Sequence, residues 1–197
     1  DQAVVERKAQ AKADIEKLMA QMKYEEAGRA LEDYAAANGS DDFHVRMSTA
    51  ICNTKIIRLA DDIVMEFVWI ADINLWVGKY EVNNRQYRAF AYKHDSGTFR
   101  EHTLNNPEQP VVNVSWDDAR AFAEWMTATH GRGEMTFRLP TEAEWASYAK
   151  CGHDWAFPWG PSMPPTFGNY GMIEDYDDGA VVSAPVSESG ANGWGLY

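Results

Sequence analysis

Four acidic residues packed into five positions, Glu174, Asp175, Asp177 and Asp178, form the densest set of candidate ligands in the chain. Carboxylates on a looped segment suit a hard, oxygen-seeking cation such as calcium, but composition alone favours a solvated acidic turn. The thiols are the other reactive groups. Cys52 and Cys151 are the only two cysteines and show no Cys-x-x-Cys spacing, so neither a zinc ribbon nor a disulfide framework is expected. An oxidising compartment would allow them to pair, and free thiols are the commoner state. The five histidines, His44, His94, His102, His130 and His153, are scattered without His-Glu-x-x-His or His-x-His spacing, which argues against a zinc enzyme and for surface positions. Ser115 lacks a Gly-x-Ser-x-Gly elbow and reads as a helix cap, and Gly131-Arg132-Gly133 reads as a turn rather than a phosphate cradle. The eight tryptophans would suit a carbohydrate or peptide groove, yet in a loop-rich chain they read mainly as core.

Bulk properties narrow the classes further. A length of 197 residues, 45% hydrophobic and 13% aromatic, is enough for one well-buried domain with an appendage. The net charge of -12, without a basic cluster, would repel phosphate backbones, so no nucleic-acid partner is expected. No apolar run approaches the roughly 20 residues needed to span a bilayer. The first residue is Asp1 rather than Met, which is compatible with a removed signal peptide.

The elements that position these residues announce themselves through capping. In Phe137-Arg138-Leu139-Pro140-Thr141-Glu142-Ala143-Glu144-Trp145, Pro140 keeps its predecessor extended, Thr141 caps a helix and Glu144 reaches back to close a capping box. Trp145 then opens an inward face. Ser115 to Asp118 and Asn83 to Gln86 repeat the device, with Phe122, Ala123 and Met126 inward on one helix and Tyr87, Phe90 and Ala91 on the other. Residues 63–70 and 75–82 read as strands. Residues 1 to about 36 read as a helical hairpin turning near Tyr24, with Val5, Ile15, Leu18, Met19 and Met22 on one face. Gly39 stops it, Ser40 or Asp41 caps a further helix expected over 43–60, and the domain boundary falls there: 1–60 as a hairpin or stalk, 61–197 as the main domain. The last 45 residues read as loop.

Over roughly 63–197 the chain resembles the formylglycine-generating enzyme, or sulfatase-modifying factor, family. The likeness rests on an ordered set: Val77 to Asn84, Pro110-Val111, Val114 to Ala119 with Trp125, Arg138 to Trp145, Phe157 to Gly160, Gly168-Asn169, Ala184 to Val186, and Asn192 to Tyr197. The resemblance implies an α+β, C-type-lectin-like fold poor in regular structure, carrying an N-terminal helical appendage. It also implies a calcium site from the Asn169 side chain, the Tyr170 carbonyl, the Asp178 carboxylate and the Ala180 carbonyl, when aligned on Ala184-Pro185-Val186. Active members oxidise a sulfatase cysteine to formylglycine with oxygen and a copper ion held by two cysteines. Those cysteines follow the segment equivalent to Asn192 to Tyr197, and Cys52 and Cys151 match neither, so copper is expected only if a further part supplies them.

The expected function is therefore a non-catalytic, calcium-stabilised binding or scaffold module for a protein or peptide, secreted or periplasmic, with possible self-association through its N-terminal helices. The alternatives are a fragment of the copper-dependent oxidase and a diversified ligand-binding C-type-lectin-like protein.

Overall fold

A computed structural model of the chain describes residues 2–197, and these divide between Ile56 and Ile57 into two compact units. The first unit holds α1 (Gln2–Ala20), α2 (Tyr24–Asn38) and α3 (Asp42–Cys52). Its core is Ile15, Leu31, Tyr34 and Phe43. Gly39, at φ 75°, ends α2, and Asp41 begins α3 by accepting the His44 amide at 3.0 Å. The same carboxylate accepts the Tyr34 hydroxyl at 2.7 Å and meets Lys8 at 3.1 Å. Hydrogen bonds from Tyr34 and then from the His44 amide hold its pKa far below the usual range. The packed face of α1 is narrower than its apolar residues suggest. Only Ile15 is fully buried, with Ala11 beside it; Val5, in the first turn of the helix, is 67% exposed, and Met22, expected on that face, lies in the turn beyond Ala20 and is 42% exposed.

The second unit departs from expectation at its start. The helix expected to reach Ala60 stops at Cys52, and Thr54–Ala60 form strand β1. Thr54, Ile56 and Ile57 are β-branched and lose side-chain freedom in a helix, and Ile57 is buried in the core of the second unit. Strand β2 (Ile63–Ile70) sits centrally in the order β1-β2-β3, paired antiparallel with β3 (Leu75–Gly78) so that Phe67 faces Gly78 and Ile70 faces Leu75. A 3-10 turn at Ala71–Ile73 and a left-handed Asn74, at φ 53°, reverse the chain between them.

Ile57, Met65 and Phe67 of the sheet meet Tyr87 from α4 (Asn84–Phe90) and Phe122 and Met126 from α5 (Trp116–His130). Both helices, and α6 (Glu142–Ala149), start with complete capping boxes at Asn83, Ser115 and Thr141. Gly131 ends α5 for lack of space rather than for handedness: its φ is -70°, but an added Cβ would press on the carbonyls of Met135 and Thr127. The polar loop after α4 holds a small hairpin, β4 (Thr98–Phe99) with β5 (His102–Thr103). Residues 150–197 contain no helix or ladder strand. Among the described residues, no helix is long and apolar enough to cross a membrane.

The loop from His94 to Gln109 is fastened by a network that the sequence did not announce. Asn84, wholly buried, donates to the carbonyls of Leu104, Asn106 and Gln109 at 2.8, 3.0 and 3.2 Å and accepts the Ser96 hydroxyl at 2.6 Å. His94, expected at the surface, lies half-buried with Nε2 2.9 Å from the Val112 carbonyl and its ring edge-on to Tyr87.

An aromatic cleft beside an oxygen-rich loop

Helix α6 has no fully buried residue, so local chemistry rather than core packing must hold it. Thr141 Oγ1 accepts the Glu144 amide at 3.2 Å, and Glu144 Oε2 accepts the Thr141 amide at 2.8 Å. Arg138 grips both Glu144 oxygens, at 2.7 and 2.6 Å, in a two-point clamp. The Arg138 hydrogen bond, followed by the Thr141 amide, draws the Glu144 pKa down to about 2. Because this folded value lies below the ordinary one, the clamp contributes fully above about pH 4.5 and is lost as pH falls towards 2. Thr141→Ala is expected to cost about 1 kcal/mol, checked by urea unfolding with unchanged denaturant slope.

The purpose of that clamp lies on the helix's exposed side. Trp145, expected to face inward, is 52% exposed and lines a cleft of about 390 Å³ together with Tyr148. Such a volume is in the range of small-ligand sites. The cleft is assembled from distant segments. Asn192 Nδ2 donates to the Tyr148 carbonyl at 2.8 Å, and the Tyr197 amide donates to the Lys79 carbonyl at 2.9 Å, which sets the Tyr197 ring 4.9 Å from Tyr80. Burial, and then the nearby Glu144 charge, push the Tyr148 phenol up to about 12, so it stays protonated at neutral pH.

The cleft is also lined by Phe167, Gly168, Asn169 and Tyr170, the start of the acidic loop. Gly168, at φ 102°, has no room for a Cβ because the Tyr170 ring folds over it. The Tyr176 hydroxyl donates to the Gly168 carbonyl at 2.5 Å, the Gly171 amide to Asp178 Oδ2 at 3.0 Å, the Ala180 amide to Asp178 Oδ1 at 2.9 Å, and Asn169 Nδ2 to the Val182 carbonyl at 3.3 Å. These bonds bring residues 168–171 alongside 176–182. The Ala180 amide, then those of Gly171 and Tyr170, hold the Asp178 carboxyl below its usual range, so it is charged at neutral pH.

The donor set has the chemistry that calcium prefers. It is all oxygen, and among the described residues no protein group donates a hydrogen bond to the Asn169 side-chain oxygen or to the Tyr170 and Ala180 carbonyls. No three His, Cys, Asp or Glu side chains converge among the described residues. A cation here would therefore have one carboxylate, Asp178, with Glu174, Asp175 and Asp177 close by in sequence. Neither unit by itself holds the two thiolates that a copper centre would need: Cys52 is a free, exposed thiol in the first unit and Cys151 a free, half-buried one in the second. The tryptophans split between roles. Trp76 and Trp125 pack on the core, whereas Trp145 faces the cleft and Trp116 is 68% exposed.

Residues 57–197 match the sulfatase-modifying factor enzyme 1-like domain, FGE-sulfatase. The chain is 39% identical over 102 residues to a formylglycine-generating enzyme of Thermomonospora curvata, covering 47% of this chain and 31% of that protein. A formylglycine-generating enzyme of Bos taurus is 37% identical over 103 residues, covering 48% and 25%. A protein named inactive C-alpha-formylglycine-generating enzyme 2, also of Bos taurus, is 37% identical over 97 residues, covering 46% and 29%. The matched stretch thus spans between a quarter and a third of the length of these relatives. No solved structure matches the chain. With most of its length matched by one family, the chain belongs to the sulfatase-modifying factor enzyme 1-like domain family.

Proposed function

We propose that residues 57–197 act as a calcium-stabilised binding module, in which the Asn169, Tyr170, Asp178 and Ala180 oxygens hold one calcium ion and the adjoining cleft receives a segment of a partner polypeptide. The observation that carries this reading is that Asn169 and Tyr170 belong both to the expected ligand set and to the cleft wall. An ion on the loop would fix that wall. The C-type-lectin-like fold and an extracellular or periplasmic setting belong to the same reading, supported by the loop-built second half and by a site with a single carboxylate. Such a site suits weak binding of about 0.1–1 mM, the range of extracellular calcium modules.

Calcium at about 100 times its dissociation constant would add about 2.7 kcal/mol of stability, or about 8 °C at roughly 3 °C per kcal/mol for a unit of this size. Melting the protein with calcium and with chelator measures it. The gain should vanish in Asp178→Asn; an identical melting point in calcium and chelator would overturn the calcium assignment.

A second reading, part of a copper-dependent oxidase acting on a sulfatase cysteine, is favoured by the names of the active relatives. It needs a thiol pair from outside residues 2–197. Copper(I) titration of this chain should then show no two-thiolate charge-transfer band.

A further inference from the structure

One carboxylate in the cleft has no partner. Nineteen residues line the space, six of them aromatic; Glu81 is the one charged side chain among them, and no Lys, Arg or His is present. Glu81 makes no hydrogen bond or ion pair among the described residues, in contrast to Glu66 nearby in the sheet, which holds Lys79 at 3.1 Å. A negative group against aromatic faces, without a counter-ion, is the arrangement that attracts an organic cation: the carboxylate supplies the charge and the ring faces supply their negative quadrupole. The hydroxyl of Ser183, which also lines the cleft, is likewise without a hydrogen-bond partner among the described residues.

Resting on the reading of this cleft as a polypeptide-binding site, we propose that it takes an aliphatic ammonium group, the side chain of a lysine on the partner, with Glu81 as its counter-ion and Trp145, Tyr148 and Tyr170 as the surrounding faces. A four-carbon stem lies well on aromatic walls while its head reaches the carboxylate, and a chain of net charge -12 draws basic partners towards it. Glu81 is exposed as a whole residue, and partial desolvation by its neighbours pushes its carboxyl up; Glu81 in turn adds to burial and Tyr176 in raising the Tyr170 phenol. Bringing an ammonium group to Glu81 would reverse that upward shift.

The test uses the full chain, with the Trp145 indole signal in NMR as the readout of the cleft. The probes are n-butylammonium chloride, n-butanol as its neutral counterpart, and two short peptides differing only by lysine against norleucine. Butylammonium and the lysine peptide should shift Trp145 saturably, with the peptide binding more tightly because it adds backbone contacts. Glu81→Gln, which keeps the shape, should weaken both by about tenfold or more. Equal binding of butanol and norleucine peptide, with Glu81→Gln unchanged, would overturn the ammonium assignment while leaving a peptide cleft standing. No response of Trp145 to any of the four probes would overturn both. Tighter binding of free butylammonium than of the lysine peptide would assign the site to a small amine and overturn the polypeptide source.

Discussion

Asn84→Asp is expected to lower the stability of the 57–197 unit by about 4 kcal/mol at pH 7. The side chain is fully buried, and its amide nitrogen faces three carbonyl oxygens, those of Leu104, Asn106 and Gln109. Aspartate keeps the shape but removes both donors and presents a carboxylate to those oxygens. The buried acid should respond by raising its pKa, so the penalty is smallest below about pH 4, where it is protonated, and grows as pH rises through the new value. Asn84→Leu removes the donors without adding charge and should cost about 3 kcal/mol with little pH dependence: the Leu104 carbonyl is left without a donor among the described residues, while the carbonyls of Asn106 and Gln109 and the Ser96 hydroxyl each lose one bond and keep backbone partners. Denaturant unfolding of both variants at pH 4 and pH 7 separates these cases. A pH-independent loss in the aspartate variant would show that Asn84 matters for packing alone.

Met126→Ala should be the largest purely apolar loss, about 3 kcal/mol. Met126 is 1% exposed and lies in the cluster where Ile57, Met65 and Phe67 of the sheet meet Tyr87 and Phe122. Deleting its thioether chain leaves a void bounded by rings that already pack edge and face on one another, Phe122 at 5.6 Å from both Tyr87 and Trp125, so relaxation into the gap is limited. The midpoint of urea unfolding should fall while the denaturant slope stays constant. Trp116→Ala, at the solvent-facing start of the same helix, should change stability by no more than about 0.5 kcal/mol despite removing a larger side chain. Similar losses in the two variants would contradict the placement of the core.

What the sequence revealed was local. The capping boxes at Asn83, Ser115 and Thr141 each need only four consecutive residues, and each is present. Helical spacing located Phe122, Ala123 and Met126, and branched residues located β2 over its full length. The failures share a cause. Residues 54–60 satisfy helix and strand patterns alike until pairing with β2 decides the matter. Trp145 looks like a core residue because an exposed aromatic cannot be told from a buried one until the far wall of the cleft is in place. The Asn84 and Ser96 network is polar residues in a polar stretch, and its meaning depends on contacts 12 to 25 positions apart. The ligand set on the acidic loop came from the family pattern; its residues lie on a segment that Asp178 ties together. Glu81 gave no signal, since a lone acid after a strand is ordinary, and only its missing partner in a cleft makes it a candidate.

In the proposed function the acidic loop is both an ion site and a wall of the cleft. The most direct measurement is a calcium titration of the full, isotope-labelled chain followed residue by residue through backbone amide and indole NMR signals. The predicted result is a saturable one-ion transition in which Asn169, Tyr170, Gly171 and Ala180 shift most, with Trp145 and Tyr148, which line the same cleft, shifting along the same isotherm. Shifts spread weakly over the acidic surface without saturation, or a saturating site that leaves Trp145 and Tyr148 unmoved, would contradict it.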